Sequence, residues 1–192
     1  MDWFLYLLEK LIHNLRLKLR SVSQITPNRF TNRKIIKLDL GCGGVKQKGF
    51  IGIDAILGPR VDLEYNLELG IPFPENSISE IYTSHFLEHL PDQKALFLLK
   101  EIKRVLKTNG KLTIVVPDLE SSMQKFLKMS EKDKWSFGWQ WIFGNQKKEY
   151  EFHKTGFSKN RIKNLLKKNK FKNIKIESSN KNIPSLIIRA TI

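Results

Sequence analysis

The sequence has 192 residues, contains a single cysteine, Cys42, and has no long uninterrupted apolar run. One cysteine excludes a disulfide-stapled scaffold and a cysteine-rich zinc site. Without a run of about 18 apolar residues, no membrane-spanning helix is predicted. The early apolar stretch is interrupted by charged residues, and no small-residue cleavage site follows it, so we expect no signal peptide. These absences favour a cytoplasmic protein.

What the chain has in excess is positive charge. It carries 34 Lys and Arg against 19 Asp and Glu, for a formal net charge of +15. The basic residues concentrate before residue 38 and after residue 120, whereas residues 38–120 are mildly acidic. A basic surface attracts nucleic acid, anionic lipid or acidic glycan. Because most of these residues are Lys and phosphate recognition favours the planar fork of Arg, we favour a compositional origin.

Residues 1–33 are interpreted as an N-terminal amphipathic helix with a linker. Within 1–22, apolar side chains recur at spacings of three and four, which places them on one helix face. They are Phe4, Leu8, Leu11, Leu15 and Leu19. This face can pack on the protein's own body near the loop after Gly44, or it can enter the headgroup layer of an anionic membrane. We favour packing on the protein, with peripheral membrane contact as the alternative.

Strands and helices alternate over residues 34–192. Predicted strands cover 34–40, 50–54, 61–63, 80–84, 111–116, 172–177 and 185–192, and predicted helices cover 92–107 and 158–168. Such alternation predicts an α/β fold with a parallel sheet covered by helices. Ligands of such sheets bind beyond the carboxyl ends of the strands.

Two features follow the first two predicted strands. The run Asp39-Leu40-Gly41-Cys42-Gly43-Gly44 supplies glycines for a tight turn and for close approach of a ligand to the backbone. Asp54 ends the second strand, where a carboxylate can accept hydrogen bonds from both hydroxyls of a ribose. A nicotinamide dinucleotide is disfavoured, because Lys46 replaces the last glycine of G-x-G-x-x-G and Asp54 follows the glycines too closely.

Four blocks together resemble the class I S-adenosylmethionine-dependent methyltransferases. They read LDLGCGG, IGIDA, LGIPFPENSISEIYTSHFLEHL and LKEIKRVLKTNGKLTIVVPD. The resemblance runs from about Ile36 to Asp118 and is closest to small methyltransferase domains associated with polysaccharide biosynthesis. It implies a Rossmann-like three-layer sandwich over residues 34–192, with a mostly parallel seven-stranded sheet and a C-terminal antiparallel hairpin. It also implies methyl transfer with S-adenosyl-L-methionine as the cofactor.

Carried over position by position, the resemblance implies seven cofactor-binding residues. They are Asp39, Gly41, Cys42, Gly43, Asp54, Asn66 and Ser84. The first four belong to the loop beside the methionine part, and Asp54 would hold the ribose. Asn66 would accept a bond from the adenine amino group, and Ser84 would lie beneath the sulfonium. The link between Gly44 and Phe50 is too short for the family's usual helix, so we expect a more open methionine side.

Proton removal from a hydroxyl acceptor is helped by a general base, and histidines are the candidates. His85 and His153 are predicted to be catalytic, whereas His89 is interpreted as structural at the start of a helix. No set of His, Cys and carboxylate residues has the spacing of a metal site, so no metal is predicted.

Residues 119–157 are interpreted as an acceptor-side lid insertion, irregular in structure and crowded with aromatic residues. Five rings lie between Trp135 and Phe143. Such rings can stack on a sugar or a base, or they can pack together in the interior, which is the interpretation that we slightly favour. Because the segment follows the fifth strand, acceptor choice is expected to lie there.

The favoured function is O-methylation of a small molecule or glycan. A nucleic-acid methyltransferase acting on tRNA is the first alternative, supported by the basic C-terminal third. Against it, Thr83-Ser84-His85-Phe86 stands where base-amino methyltransferases carry Asn-Pro-Pro-aromatic. A non-catalytic module that binds a membrane or a partner protein is the second alternative, and the intact Gly41 and Asp54 disfavour it.

Overall fold

The computed structural model describes residue 30, residues 35–179 and residues 183–192. The helix predicted over residues 1–22 lies outside the described residues. Phe30 is buried, and its ring centroid lies 6.4 Å from that of Phe73. In the described ranges, no helix is long and apolar enough to cross a membrane.

Seven strands of the described chain form one mixed sheet in the order β3-β2-β1-β4-β5-β7-β6. The strands are β1 (Lys37–Leu40), β2 (Ile51–Asp54), β3 (Leu63–Glu64), β4 (Ile78–Ser84), β5 (Leu106–Pro117), β6 (Lys172–Ser179) and β7 (Ser185–Thr191). Strands β1 to β5 pair in parallel, and β7 is antiparallel to both β5 and β6. The predicted Rossmann-like α/β fold with a C-terminal antiparallel hairpin is confirmed.

The helices connect these strands. They are α1 (Asp92–Val105), α2 (Leu119–Lys128), α3 (Glu131–Asp133), α4 (Gln140–Phe143) and α5 (Lys159–Lys168), with a π-helical turn at Lys134–Gly138 and 3₁₀ turns at Leu67–Leu69, Leu87–His89 and Glu149–Glu151. Helix α1 ends before the predicted Lys107, because the chain passes directly into β5, where Leu106 already pairs with Ile78. Asn109 adopts a left-handed φ of 62° inside β5.

The two faces of the sheet differ in character. Leu38, Ile81, Leu112 and Ala190 form one row of paired positions, and all four are buried. The apolar side of α1 joins the same core cluster. The adjacent row on the other face, Lys37, Glu80, Lys111 and Thr191, is polar, with a Lys37–Glu80 ion pair of 2.7 Å. As predicted, no helix lies between β1 and β2.

The segment after β5 is more regular than predicted. Asp118 caps α2, and its Oδ1 accepts a hydrogen bond of 3.3 Å from the amide of Ser121. The interior packing favoured for the aromatic cluster is wrong. Trp135, Phe137 and Phe143 are exposed, and the two remaining tryptophans are half-buried. The ring centroids of Phe137 and Trp141 lie 5.7 Å apart, and the ring of Trp135 lies 5.8 Å from that of Phe126 in α2.

Candidate functional site

A cavity of about 570 Å³ opens where β1, β2 and β4 end. Loops that follow these strands form most of its wall, and Tyr150, Glu151 and Lys154, which are distant in sequence, complete it. Five of the predicted site residues line it, namely Gly41, Gly43, Asp54, Asn66 and His85. Its position at the carboxyl edge of the sheet and its volume are those of a small-molecule site.

Gly41 is required by both its backbone and its surroundings. Its φ is 66°, and its amide donates a hydrogen bond of 2.8 Å to the carbonyl of Ile53 in β2. A Cβ on Gly41 would lie 2.1 Å from Cγ of Phe86, which follows β4. Gly43 also has a left-handed φ of 49°, but a Cβ there would meet open space. The glycine loop therefore packs closely at Gly41 and leaves room at Gly43.

Asp54 organises the loops around the cavity. Its Oδ2 accepts a hydrogen bond of 2.9 Å from the amide of Gly43, and its Oδ1 accepts one of 3.0 Å from the amide of Ile56. Each carboxylate oxygen can accept a further bond from a ligand. Asn66 caps the turn at Leu67–Leu69, and its Oδ1 accepts a bond of 2.9 Å from the amide of Glu68. The oxygen predicted to contact adenine is thus already partly used.

Asp39, Cys42 and Ser84 do not line the cavity. Asp39 is buried, and its Oδ2 accepts a hydrogen bond of 2.8 Å from the amide of Gln47. Burial raises the pKa of Asp39 to about 6, although the Gln47 bond and the charge of Lys46 act in the opposite direction. Burial, together with the charges of Asp39 and Asp54, raises the pKa of the Cys42 thiol to about 11. Asp39 therefore holds the glycine loop from inside, and Cys42 is an unreactive buried thiol.

His85 stands at the end of β4 in a left-handed conformation, with a φ of 50°, which is uncommon for a residue other than glycine. Its amide donates a hydrogen bond of 2.9 Å to the carbonyl of Val115, and this bond anchors it to β5. The ring lines the cavity, with Nδ1 3.3 Å from Oε1 of Glu88. A constrained backbone of this kind is characteristic of functional positions.

His153 enters the site from a segment far along the chain. The amides of Lys154 and Thr155 donate hydrogen bonds of 2.7 Å and 3.1 Å to the carbonyl of Glu88. They bring the His153 ring to 5.0 Å, between centroids, from the ring of His89. His89 lines the cavity, whereas His153 lies off its wall. Burial lowers the pKa of His153, so its neutral form predominates at neutral pH.

Sequence reasoning assigned no place in the site to several residues of this side. Among those that line the cavity are Phe86, His89, Tyr150 and Lys154. His89 was interpreted as structural, and the signal that could have placed it was its position directly after the block that ends β4. Tyr150 and Lys154 carried no local signal, because the long-range contacts with Glu88 bring them there.

Comparison with known proteins agrees with this architecture. Residues 58–114 match the family model described as "Methyltransferase domain". No curated protein sequence matches the chain. Among solved structures, a SAM-dependent methyltransferase from Archaeoglobus fulgidus is 16% identical with a TM-score of 0.56, covering 90% of this chain and 94% of that chain. One from Methanosarcina mazei is 18% identical with a TM-score of 0.56, covering 87% and 97% respectively.

A third similar structure was solved with ligands. It is the 1,6-didemethyltoxoflavin N1-methyltransferase of Burkholderia thailandensis, with bound 1,6-didemethyltoxoflavin and S-adenosylhomocysteine. It is 13% identical with a TM-score of 0.55, covering 99% of this chain and 89% of that chain. At such identities these three structures show a common fold.

Proposed function

We propose that the chain is a class I S-adenosylmethionine-dependent methyltransferase, because residues 58–114 match a methyltransferase domain and the fold is shared with such enzymes. We propose further that it methylates a hydroxyl oxygen of a small molecule or glycan. S-adenosylmethionine is its cofactor and supplies a methyl group already activated on a sulfonium. One observation carries the choice of acceptor atom: the loops of Gly43 and Asp54 share a single cavity with His85. The residues proposed to bind the methyl donor and the residue proposed as the base therefore line the same cavity.

The cavity fits this cofactor chemically. Ile56 and Leu57 line it with 46% and 69% of their surfaces exposed, which suits the flat apolar face of a purine. The carboxylate of Asp54 suits ribose hydroxyls, and the open space at Gly43 allows a ligand to approach the backbone. We assign the ribose to Asp54 and the methionine side to the loop of Gly41 and Gly43. Asp39 would act through its hold on that loop.

The proposed acceptor is a hydroxyl because the wall of the same cavity carries a proton acceptor, His85. A hydroxyl must lose its proton as the carbon–oxygen bond forms. His85 lies on the wall, and the carboxylate of Glu88, 3.3 Å from its Nδ1, would stabilise the imidazolium that results. Holding the hydroxyl in line with the methyl group would supply much of the remaining acceleration. His153 is the second candidate, although its place off the wall makes direct proton transfer to it less favourable.

The chain segment that contributes Tyr150 to the cavity wall carries further aromatic rings. Tyr150 lines the cavity with 45% of its surface exposed, and the exposed Trp135 and Phe143 belong to the same segment of the chain. Exposed rings suit stacking on a sugar or another flat small molecule. We therefore assign acceptor choice to residues 119–157. A cytoplasmic location, with peripheral membrane contact through residues 1–22 as the alternative, remains part of this proposal.

Calorimetric titration with S-adenosylmethionine tests the cofactor half. Asp54→Ala should weaken binding about 10- to 150-fold, because a hydrogen bond to a charged group contributes about 1.5–3 kcal/mol. Glu64→Ala is a matched control, since Glu64 ends β3 but does not line the cavity. It should bind the cofactor as the wild type does. Equal affinity in both variants would contradict the assignment of Asp54.

A screen of methyl transfer from labelled cofactor tests the acceptor half. We expect label on an oxygen of a glycan, a lipid-linked sugar or a small hydroxylated compound. Transfer to tRNA alone would replace this proposal with the nucleic-acid alternative. Cofactor binding without transfer to any class would instead favour a binding module.

A further inference from the structure

We propose that Glu88, His89 and His153 bind a divalent transition-metal cation at the edge of the cavity. One ligand atom from each of these side chains lies within 4.8 Å of the other two. Two imidazoles and one carboxylate form a ligand set that first-row transition metals accept. The metal's role in catalysis rests on the proposed function, whereas the binding itself does not.

Both histidines are held in the tautomer that a metal needs. Nδ1 of His89 lies 3.1 Å from the carbonyl of Phe152, and Nδ1 of His153 lies 3.3 Å from the carbonyl of Ile142. A carbonyl can only accept, so each Nδ1 must carry the proton and donate it. Nε2 of each ring is then unprotonated, with its lone pair available. Metal-binding histidines characteristically have this arrangement, because the Nδ1 bond fixes the ring and makes Nε2 more basic.

Glu88 supplies the second, independent observation. Its side chain is only 1% exposed, and neither carboxylate oxygen accepts a hydrogen bond within the described part of the chain. The ring of His85 approaches Oε1 to 3.3 Å without the geometry of a hydrogen bond. Leaving a buried carboxylate without a hydrogen bond is costly, and a cation between Glu88 and the two imidazoles would offset that cost.

The backbone around the cluster is built for close approach. A Cβ on Gly144 would lie 2.0 Å from the carbonyl oxygen of Glu151, so glycine is needed where the two chain segments meet. The amide of His153 donates a bond of 3.0 Å to the carbonyl of Phe143, next to that glycine. Ligand atoms around a tetrahedral zinc ion lie about 3.4 Å apart, so small side-chain adjustments suffice to close the site.

This position gives the cation a direct role in methyl transfer. Because His89 lines the cavity, a cation held by Glu88, His89 and His153 would lie beside it. It would supply Lewis-acid chemistry, which would lower the pKa of an acceptor hydroxyl. As the carbon–oxygen bond forms and the carbon–sulfur bond breaks, the proton of the hydroxyl passes to His85. The proposed metal departs from the sequence prediction, which examined spacing along the chain and so could not see His153 beside His89.

The test uses the full chain, stripped of metal with a chelator and titrated with Zn²⁺ by calorimetry and with Co²⁺ by visible absorption. We expect one equivalent of each ion to bind. Glu88→Gln, His89→Ala and His153→Ala should each weaken binding at least about tenfold. Affinity for S-adenosylmethionine should stay within about threefold of wild type, which also shows that each variant is folded. Glu149→Gln is the matched control, because Glu149 is an exposed carboxylate of the same segment.

Two results would overturn the metal site. One is a wild-type chain that binds S-adenosylmethionine but no stoichiometric Zn²⁺ or Co²⁺, and the other is unchanged metal affinity in all three variants. Preference for Mg²⁺ over Zn²⁺ would contradict the transition-metal assignment. Metal binding without cofactor binding would instead refute the proposed function and leave this site standing.

Discussion

The two sides of the cavity are built in different ways. On the cofactor side, contacts are local: Asp54 and Gly43 are 11 residues apart, and Asn66 caps a turn two residues away. On the acceptor side, contacts join distant segments: His89 meets the carbonyl of Phe152 across 63 residues. Local contacts recur as short sequence motifs, whereas distant ones depend on the whole fold. Short motifs therefore predict most residues of the proposed cofactor side. On the proposed acceptor side they indicate His85 and His153 as single residues, but not the contacts that bring His153 beside His89.

The two sides also differ in which groups they use. The cofactor side depends on backbone conformation and on the absence of side chains, as at Gly41. The acceptor side depends on ionisable side chains held at short distances, with His85, Glu88 and His89 within one turn of chain. Substitutions on the proposed cofactor side should therefore act sterically and weaken cofactor binding. Substitutions on the proposed acceptor side should remove ionisable groups and lower the turnover rate.

His85→Asn is expected to give the largest difference between the effect on turnover and the effect on cofactor binding. Asparagine tolerates the left-handed backbone of position 85, so this change removes the imidazole with little strain. Loss of a general base should lower turnover about 10²- to 10⁴-fold while leaving the cofactor dissociation constant unchanged. Single-turnover kinetics and calorimetry measure the two quantities. Full activity in this variant would remove His85 from the chemistry.

Gly41→Ala should damage the opposite side. The Cβ would overlap the Phe86 ring, and overpacking of this kind costs about 1–3 kcal/mol. The left-handed backbone adds about 1–2 kcal/mol for any residue with a Cβ. Urea unfolding measures this loss, and cofactor binding should weaken with it.

Gly43→Ala is the matched control for that steric argument. Gly43 has the same backbone handedness, but a Cβ there would meet open space. Gly43→Ala should therefore lose only the about 1–2 kcal/mol of folding free energy that the left-handed backbone costs. Equal losses in the two variants would show that Phe86 does not press on the loop.

A smaller, pH-dependent effect is expected from Asp39. The folded chain holds this proton more tightly than the unfolded chain, because burial raises the pKa of Asp39 from 3.8 to about 6. Ionisation therefore destabilises the fold as pH rises through about 6. Asp39→Asn should gain roughly 2 kcal/mol relative to wild type between pH 4 and pH 7.5. Urea unfolding at the two pH values measures the difference, and a constant difference would contradict the raised pKa.

The features that the sequence predicts are those that depend on local contacts, and the features that it does not predict depend on long-range contacts. The strands before Gly41 and Asp54 were predicted because apolar runs end there in glycine or carboxylate. Helix α2 was missed, although Asp118 is a good N-cap that could have indicated it. The pairing of His89 with His153 could not be predicted, because the Glu88 carbonyl and the tight approach at Gly144 create it. The exposed aromatic rings could not be predicted either, since hydrophobicity alone favours burial.

The bonds from Lys154 and Thr155 to the carbonyl of Glu88 have an evolutionary consequence. They join main chain to main chain, so they do not depend on which side chains the segment carries. Within residues 130–152, exposed side chains other than at Gly144 can therefore change without removing these two bonds, which lie just beyond the segment. A library randomised at the exposed rings of Trp135, Phe137 and Phe143 would test whether this segment sets the choice of acceptor.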